Sequence, residues 1–348
     1  MKAVVWTGKN EVKLQEEPMP KIEASTDAII RMKKTTICGS DLHIIHGNVP
    51  SVPMGRIIGH EGVGIIEEVG PSVKTFKKGD EVLITAVSSC ASCSYCRRGM
   101  NSHCHTGGWM LGNTLGGTQA EYVKVAHADS SLYPLPEGID TGALVMLSDI
   151  FPTGLECGVL NAKVSPGGSV VIVGAGPVGL AALITAQLYS PSQIIVVDMD
   201  DNRLAVSRDL GAHHTINNSS GIADAAKAVL ELTNGIGCDS VLEAVGVPAS
   251  FELCQKIIAP GGTLANIGVH GTSAPLHLED LWHHNISITT RLVDTVTLPM
   301  LLKLVVAKRL DPSKLITHRF KFSEAEKAYA TFGAAAKHKA LKVLIEFD

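Results

Sequence analysis

The sequence predicts an α/β protein in two parts: a β-rich part, and a doubly wound parallel sheet of six strands. Three observations carry this. Residues 1–35 and 56–86 read as short alternating strands punctuated by Gly and Pro. From Ser169 onward, apolar runs of strand length alternate with helical stretches. The first of those runs enters a glycine-rich turn, Gly174-Ala-Gly176-Pro177-Val178-Gly179, followed by an Ala-rich helix. A chain of 348 residues is long enough for two cores. The expected division is 1–152 with 293–348 for the β-rich domain, and 153–292 for the parallel sheet.

In the first part, residues 2–7, 12–15, 28–33, 63–69, 81–86 and 120–125 read as strands of a twisted sheet or partly closed barrel. Residues 138–160 turn helical, interrupted at Pro152. In the second part, strands are expected at 170–173, 194–197, 214–217, 239–245, 263–269 and 286–292. Helices are expected at 201–210, 223–233 and 249–258 between them. Amphipathic helices at 299–308 and 323–332 precede a closing strand at 340–347, expected to return to the first domain.

Composition narrows the function. Apolar content of 45%, charged content of 18% and a net charge of −4 describe a globular protein without an electrostatic footprint for nucleic acid or an anionic membrane. Residues 170–188 are apolar enough to imitate a membrane span, but Gly174, Gly176, Pro177 and Gly179 divide them into strand, turn and helix. The N-terminus begins as a strand, without the long apolar core of a signal peptide. Eight cysteines, four of them clustered, fit a reducing cytoplasm better than a disulfide framework.

The chemistry concentrates in a few segments. Cys38-Gly-Ser40-Asp41-Leu-His43 and Gly59-His60-Glu61 supply a thiolate, an imidazole and carboxylates, the donor types that hold a catalytic Zn²⁺ with one position open. Singly, Cys38 reads equally as a small buried hydrophobe and His60 as a core histidine. Cys90, Cys93, Cys96 and Cys104 fall within fifteen residues at CxxCxxC spacing, which suits a closed structural Zn²⁺ better than a redox disulfide. Asp149 sits in apolar company beside Pro152 and is either a helix-terminal residue or a metal ligand. The GxGxxG turn between strand and helix, with Asp198 ending the next strand, is a Rossmann dinucleotide fingerprint. Asp198 should accept hydrogen bonds from ribose hydroxyls and repel a 2′-phosphate, favouring NAD(H) over NADP(H), with Arg203 and Arg208 nearby.

Together these motifs resemble the zinc-dependent medium-chain alcohol dehydrogenases over essentially the whole chain. The stretch from Ser148-Asp149 to Pro152-Thr153-Gly154 is similar to the microbial secondary-alcohol dehydrogenases, in which this Asp is the third protein ligand. The chain departs from the best-known of those in its four-cysteine lobe and in Asp198. The resemblance implies a GroES-like catalytic domain beside the Rossmann domain, with one catalytic and one structural zinc per chain. It implies Cys38, His60 and Asp149 as catalytic-zinc ligands, Glu61 as a fourth or exchanging ligand, and Asp41 orienting His60. Zinc would act as a Lewis acid on the alcohol oxygen while hydride moves between the carbinol carbon and NAD(H), with the proton passing through Ser40 and, via the cofactor ribose, to His43 near solvent. Thr153, Val245, Ile267, Gly268 and Val269 are expected at the nicotinamide, and Arg203 and Lys342 at the adenosine and phosphate ends. Ala86, Val87, Trp109 and Leu292 are expected to line a small apolar pocket for secondary alcohols and ketones. A homo-oligomer is implied, a tetramer before a dimer.

Two rival readings follow from the same residues. A polyol, butanediol or amino-alcohol dehydrogenase of the same superfamily would need polar pocket groups, which Thr85, Ser88, Ser89 or His105 could supply. A non-catalytic NAD-sensing protein would need a broken Cys38 site, whereas the ligand set is intact.

Overall fold

Between Ser169 and Thr290 six strands pair side by side in a computed structural model that describes residues 1–347. All six strands are parallel, in the order His214–Asn217, Gln193–Asp198, Ser169–Val173, Cys238–Glu243, Ile258–Asn266 and Ser287–Thr290. The sheet starts in its middle and winds outward both ways. Val170, Val171, Ile172, Ile194, Ile195, Val241 and Leu242 are all 0% exposed, because helices cover both faces of a parallel sheet. That is why these strands read as continuous apolar runs rather than as alternating ones.

Register matters most where the strands end. Val173 pairs with Val197 and with Glu243, and Glu243 with Asn266, so the residues after them emerge along one carboxyl edge. Ligands bind at such an edge in doubly wound sheets.

The chain divides into two compact units, Met1–Asp149 with Asp294–Asp348, and Ile150–Val293. The boundaries expected from sequence were at 152 and 293. In the first unit, the main sheet runs Ile316–Lys321, Lys342–Glu346, Ala28–Thr36, Gly62–Val69, Glu81–Ile84 and Leu132–Pro134, with Tyr122–Val125 also paired to Ala28–Thr36. Only the first two of these are parallel to each other. The closing strand, Lys342–Glu346, thus lies against the start of the chain. A separate hairpin joins Lys2–Gly8 to Glu11–Glu16.

Three features differ from expectation. Gly39–Ile45 is a short helix where no helix was expected, its first turn tied by Asp41, whose Oδ2 accepts from the Cys38 backbone N–H at 2.9 Å. Ile316–Lys321 is a strand that lacks apolar alternation, since Thr317, His318 and Arg319 separate its two apolar residues, Ile316 and Phe320. The helical run near Pro152 breaks into Thr141–Val145, Ile150–Pro152 and a π-helical turn, Thr153–Leu160. In that turn a Cβ on Gly154 would lie 2.6 Å from Ala182 N, and one on Gly158 2.9 Å from Ile267 Cδ1. The two glycines let the widened turn press onto the helix Pro177–Ala186 and the sheet.

Candidate active site

The first unit gathers four side chains from distant segments. Cys38, His60, Glu61 and Asp149 each offer a ligand atom, all within 4.8 Å of one another, and all four residues are buried. The Cys38 Sγ donates to Asp149 Oδ2 at 3.6 Å, and His60 Nε2 stands 3.4 Å from the same oxygen. A sulfur, a ring nitrogen and two carboxylates form the borderline-soft, anionic donor set that suits Zn²⁺.

Two observations test that fit. Glu61 Oε2 is taken by the Thr36 hydroxyl at 2.8 Å and by the Lys342 ammonium, whereas Glu61 Oε1 is buried without a hydrogen-bond partner. An orphaned buried carboxylate oxygen is costly unless a cation meets it. Second, burial opposes charge on His60, but the hydrogen bond to Asp149 and the Cys38 sulfur lift its imidazole well above the ordinary histidine range. The pocket calls for positive charge. Burial also pushes the Glu61 carboxyl up, with the neighbouring Lys342 ammonium opposing it.

Lys342 is placed differently from the expectation that put it at the cofactor's phosphate end. It is 1% exposed, and its ammonium donates to Glu61 Oε2 and to the Ile37 carbonyl at 3.1 Å. A buried ammonium among those acceptors is spent on Glu61. The pairing escapes sequence reading because the partners are 281 positions apart.

Ser40 and His43 lie three residues apart on the helix Gly39–Ile45, the spacing that puts side chains on one face. Ser40 Oγ is 3.7 Å from Cys38 Sγ. Partial burial and the neighbouring His46 hold the His43 imidazole below its ordinary value, favouring the neutral ring. Trp109 stands edge-on to His60 with ring centroids 6.0 Å apart. Ala86 and Val87 are buried, and the Ala86 N–H donates to Ser148 O, next to Asp149, at 3.1 Å. Leu292, on the second unit, is 47% exposed.

The four remaining candidate ligands form a lobe of their own. Cys93 Sγ lies 3.5 Å from Cys96 Sγ and Cys90 Sγ 4.0 Å from Cys96 Sγ, far beyond disulfide bonding and close to the edge of about 3.8 Å that a ZnS₄ tetrahedron has at a Zn–S distance of about 2.3 Å. Backbone N–H groups of Cys93, Cys96 and Cys90 donate to Cys90, Cys93 and Cys104 sulfurs at 3.4, 3.5 and 3.3 Å. Ser92 contributes most to holding the Cys90 thiol down at about 5, while burial raises Cys96 to about 12. Asp294 anchors the lobe, accepting from the Ser102 N–H and hydroxyl at 2.9 and 2.7 Å.

In the second unit the glycine-rich turn divides its work. A Cβ on Gly174, at φ +104°, would meet Val245 Cγ2 at 2.7 Å, and one on Gly179 would strike Gly174 O at 1.9 Å. A Cβ on Gly176 would meet nothing within 4 Å, leaving open space over the N-terminus of the helix Pro177–Ala186, where a pyrophosphate fits. Pro177 and Val178 form the first turn of that helix. Asp198 Oδ2 accepts from the Ala175 N–H at 2.6 Å and Oδ1 from the Asp200 N–H at 2.9 Å, so it also ties the two loops together. Arg203 Nε is buried without a partner, while Arg208 donates to Thr215 Oγ1 at 2.6 Å.

Val245, Ile267, Gly268 and Val269 follow the ends of their strands on this same edge, and Thr153 heads the π-helical turn. Sequence reading passed over Glu243, which is 0% exposed and accepts from the Val245 and Gly246 N–H groups at 3.0 and 2.9 Å. An acidic residue ending an apolar strand was the available signal.

Comparison with known proteins agrees with this geometry. Residues 24–137 match the family model described as the alcohol dehydrogenase GroES-like domain, and residues 177–307 match that of the zinc-binding dehydrogenases. The chain is 51% identical to a solved zinc-dependent alcohol dehydrogenase 2 from Streptococcus pneumonia (apo form), with a TM-score of 0.96 over 100% of this chain and 99% of that one. It is 33% identical to an alcohol dehydrogenase of Cupriavidus necator, covering 99% of this chain and 98% of that protein. It is 34% identical to an NADP-dependent isopropanol dehydrogenase of Thermoanaerobacter brockii, covering 90% of each.

Proposed function

Because this chain belongs to the zinc-dependent medium-chain alcohol dehydrogenases, oxidoreductases that act on CH–OH groups, we propose that it interconverts secondary alcohols and ketones with NAD(H) as the preferred cofactor. The observation that carries this is the convergence of Cys38, His60, Glu61 and Asp149 within 4.8 Å.

In this reading Cys38, His60 and Asp149 hold the catalytic zinc and Glu61 presents its unpartnered oxygen as an exchanging ligand. Bound there, zinc supplies Lewis acidity that lowers the pKa of the substrate hydroxyl. Ser40 receives the hydroxyl proton, and His43, neutral on the same helix face, carries it toward solvent. Ala86, Val87 and Trp109 offer an apolar wall that excludes water and suits short ketones. Cys90, Cys93, Cys96 and Cys104 hold a structural zinc.

The turn at Gly176 takes the pyrophosphate, and Asp198 takes the ribose hydroxyls. Support for NAD(H) rests on Asp198, since a carboxylate there repels a 2′-phosphate. Thr153, Val245, Ile267, Gly268 and Val269 are assigned to the nicotinamide side, and Arg203 to the adenosine. The similarity to an isopropanol dehydrogenase supports a secondary alcohol. Among the described residues no helix is long and apolar enough to cross a membrane. The cluster of four cysteines at metal-site spacing supports a reducing cytoplasm as the proposed location. A homo-tetramer is the assembly proposed.

The test is zinc content per chain, followed in the same sample by NADH and NADPH oxidation with acetone, acetophenone, acetaldehyde and acetoin. Two zincs and NADH-linked turnover favouring simple ketones is the expected result. Activity confined to acetoin would move the substrate to the polyol branch, and a preference for NADPH would overturn the cofactor assignment.

A further inference from the structure

Behind His60 lies a buried hydrogen-bonded chain that reaches a helix near the C-terminus. We propose that Gln119 and Tyr329 are positioning residues for His60, acting through Asp41. This rests on the reading of His60 as a ligand of the catalytic zinc.

Asp41, Gln119 and Tyr329 are 0%, 0% and 5% exposed. Asp41 stands behind the imidazole, its Oδ1 3.9 Å from His60 Nδ1, a ring nitrogen with no hydrogen-bond partner of its own. A buried carboxylate in that place must be held by donors. Cys38 N–H gives one at 2.9 Å, Gly59 N–H another at 3.2 Å, and the Gln119 side-chain amide a third at 3.2 Å. The first two come from the backbone of one ligand and of the residue before another. Among the described residues, Gln119 Nε2 is the side-chain hydrogen-bond donor to Asp41.

An amide can face either way, and the wrong way would turn Gln119 Oε1 against the carboxylate. The Thr36 carbonyl and the Asp41 carboxylate, both acceptors, call for Nε2 on their side, and Tyr329 holds the amide that way by meeting its oxygen. The Tyr329 hydroxyl donates to Gln119 Oε1 at 2.7 Å, which leaves Nε2 to donate to Thr36 O and to Asp41, both at 3.2 Å. Burial and the nearby Asp41 charge keep the phenol well above its ordinary value, so it stays a donor. Tyr329 itself is fixed in the apolar cluster that includes Ile37, Ile44, Phe322, Ala325 and Phe332.

Gln119 also touches the ligand loop directly. Gly59 has φ +94°, and a Cβ there would lie 2.6 Å from Gln119 Cγ. The glycine before His60 thus makes room for the glutamine stem, and the two positions are packed as one piece.

The groups behind a metal-binding histidine set its orientation and basicity, and their loss typically costs 10–100-fold in metal affinity. The experiment uses zinc-loaded wild-type protein, Tyr329→Phe and Gln119→Leu, each followed for zinc release to a chelator and for the visible spectrum of the cobalt-substituted site. The expected result is loss of one zinc about tenfold faster in either variant, the second zinc released at the wild-type rate, and an altered cobalt spectrum. The double variant should be no worse than Gln119→Leu, because the two residues act in series. Wild-type release of both zincs with an unchanged spectrum would overturn the proposal. So would acceleration of both zincs together, which marks general destabilisation. Wild-type protein holding a single zinc that Cys96→Ser loses would instead remove the metal reading of His60, and the proposal with it.

Discussion

Lys342 and Glu61 show how much a single buried pair can decide. Neither side chain is more than 1% exposed, and the ammonium also donates to a backbone carbonyl, so both charges are desolvated and depend on each other. Lys342→Met would leave the carboxylate of Glu61 with only the Thr36 hydroxyl. Removing one partner of such a pair costs about 3–5 kcal/mol. Urea denaturation of the variant at neutral pH should therefore give an unfolding free energy lower by that amount, through a lower midpoint at an unchanged m-value. A shift below about 1 kcal/mol would mean that water reaches Glu61. Lys342→Arg, which keeps the charge, should lose much less.

At the scale of an element, the nucleotide turn works through three glycines with three different constraints, and the strictest is Gly179. A methyl group there would sit 1.9 Å from the Gly174 carbonyl oxygen, so strand and helix would have to separate. Gly179→Ala should destabilise the protein by about 1–3 kcal/mol, the usual cost of overpacking, and weaken NADH binding measured by fluorescence titration. Gly176→Ala meets open space in the same turn, so it should keep wild-type stability while losing cofactor affinity. Asp198 ends the neighbouring strand, and replacing it has two consequences. Asp198→Gly removes the repulsion of a 2′-phosphate but also frees the Ala175 and Asp200 amides. The ratio of kcat/KM for NADPH to that for NADH should rise about tenfold or more, about 1.4 kcal/mol, even if both values fall. An unchanged ratio would remove Asp198 from cofactor choice.

Across the whole molecule, each unit has its own means of holding together. The unit Ile150–Val293 buries both faces of a parallel sheet. The other unit spreads its apolar material over separate clusters, and its cysteine lobe contributes only Cys104, among the described residues, to the buried set. A lobe of that kind needs a crosslink. Cys96→Ser should lose about one zinc per chain, and a cost on the order of 3 kcal/mol would lower Tm by roughly 6–12 °C. Retention of two zincs would refute a four-cysteine metal site.

The parallel sheet was legible because both faces of its middle are buried, so its central strands, Ser169–Val173 and Gln193–Asp198, appear in the text as apolar runs before helices. The cysteine lobe was legible because its four sulfurs lie within one short stretch and their spacing is itself the geometry. Cys38, His60 and Asp149 could be named from donor chemistry and family resemblance. Their approach to within 4.8 Å, however, is a property of three segments meeting, which no local pattern encodes. The short helix at Gly39–Ile45 was missed because seven residues carry too little periodicity, and its first turn is held by a carboxylate that also serves the site. Lys342 was given a different partner because the resemblance placed it at the phosphate end and nothing in the sequence around a lysine tells that it is buried against Glu61. The groups behind His60, from Asp41 to Gln119 to Tyr329, span 288 positions between the first and the last. Local chemistry and period are written along the chain; which charge is buried, and which donor faces it, arises only when distant segments exclude water together.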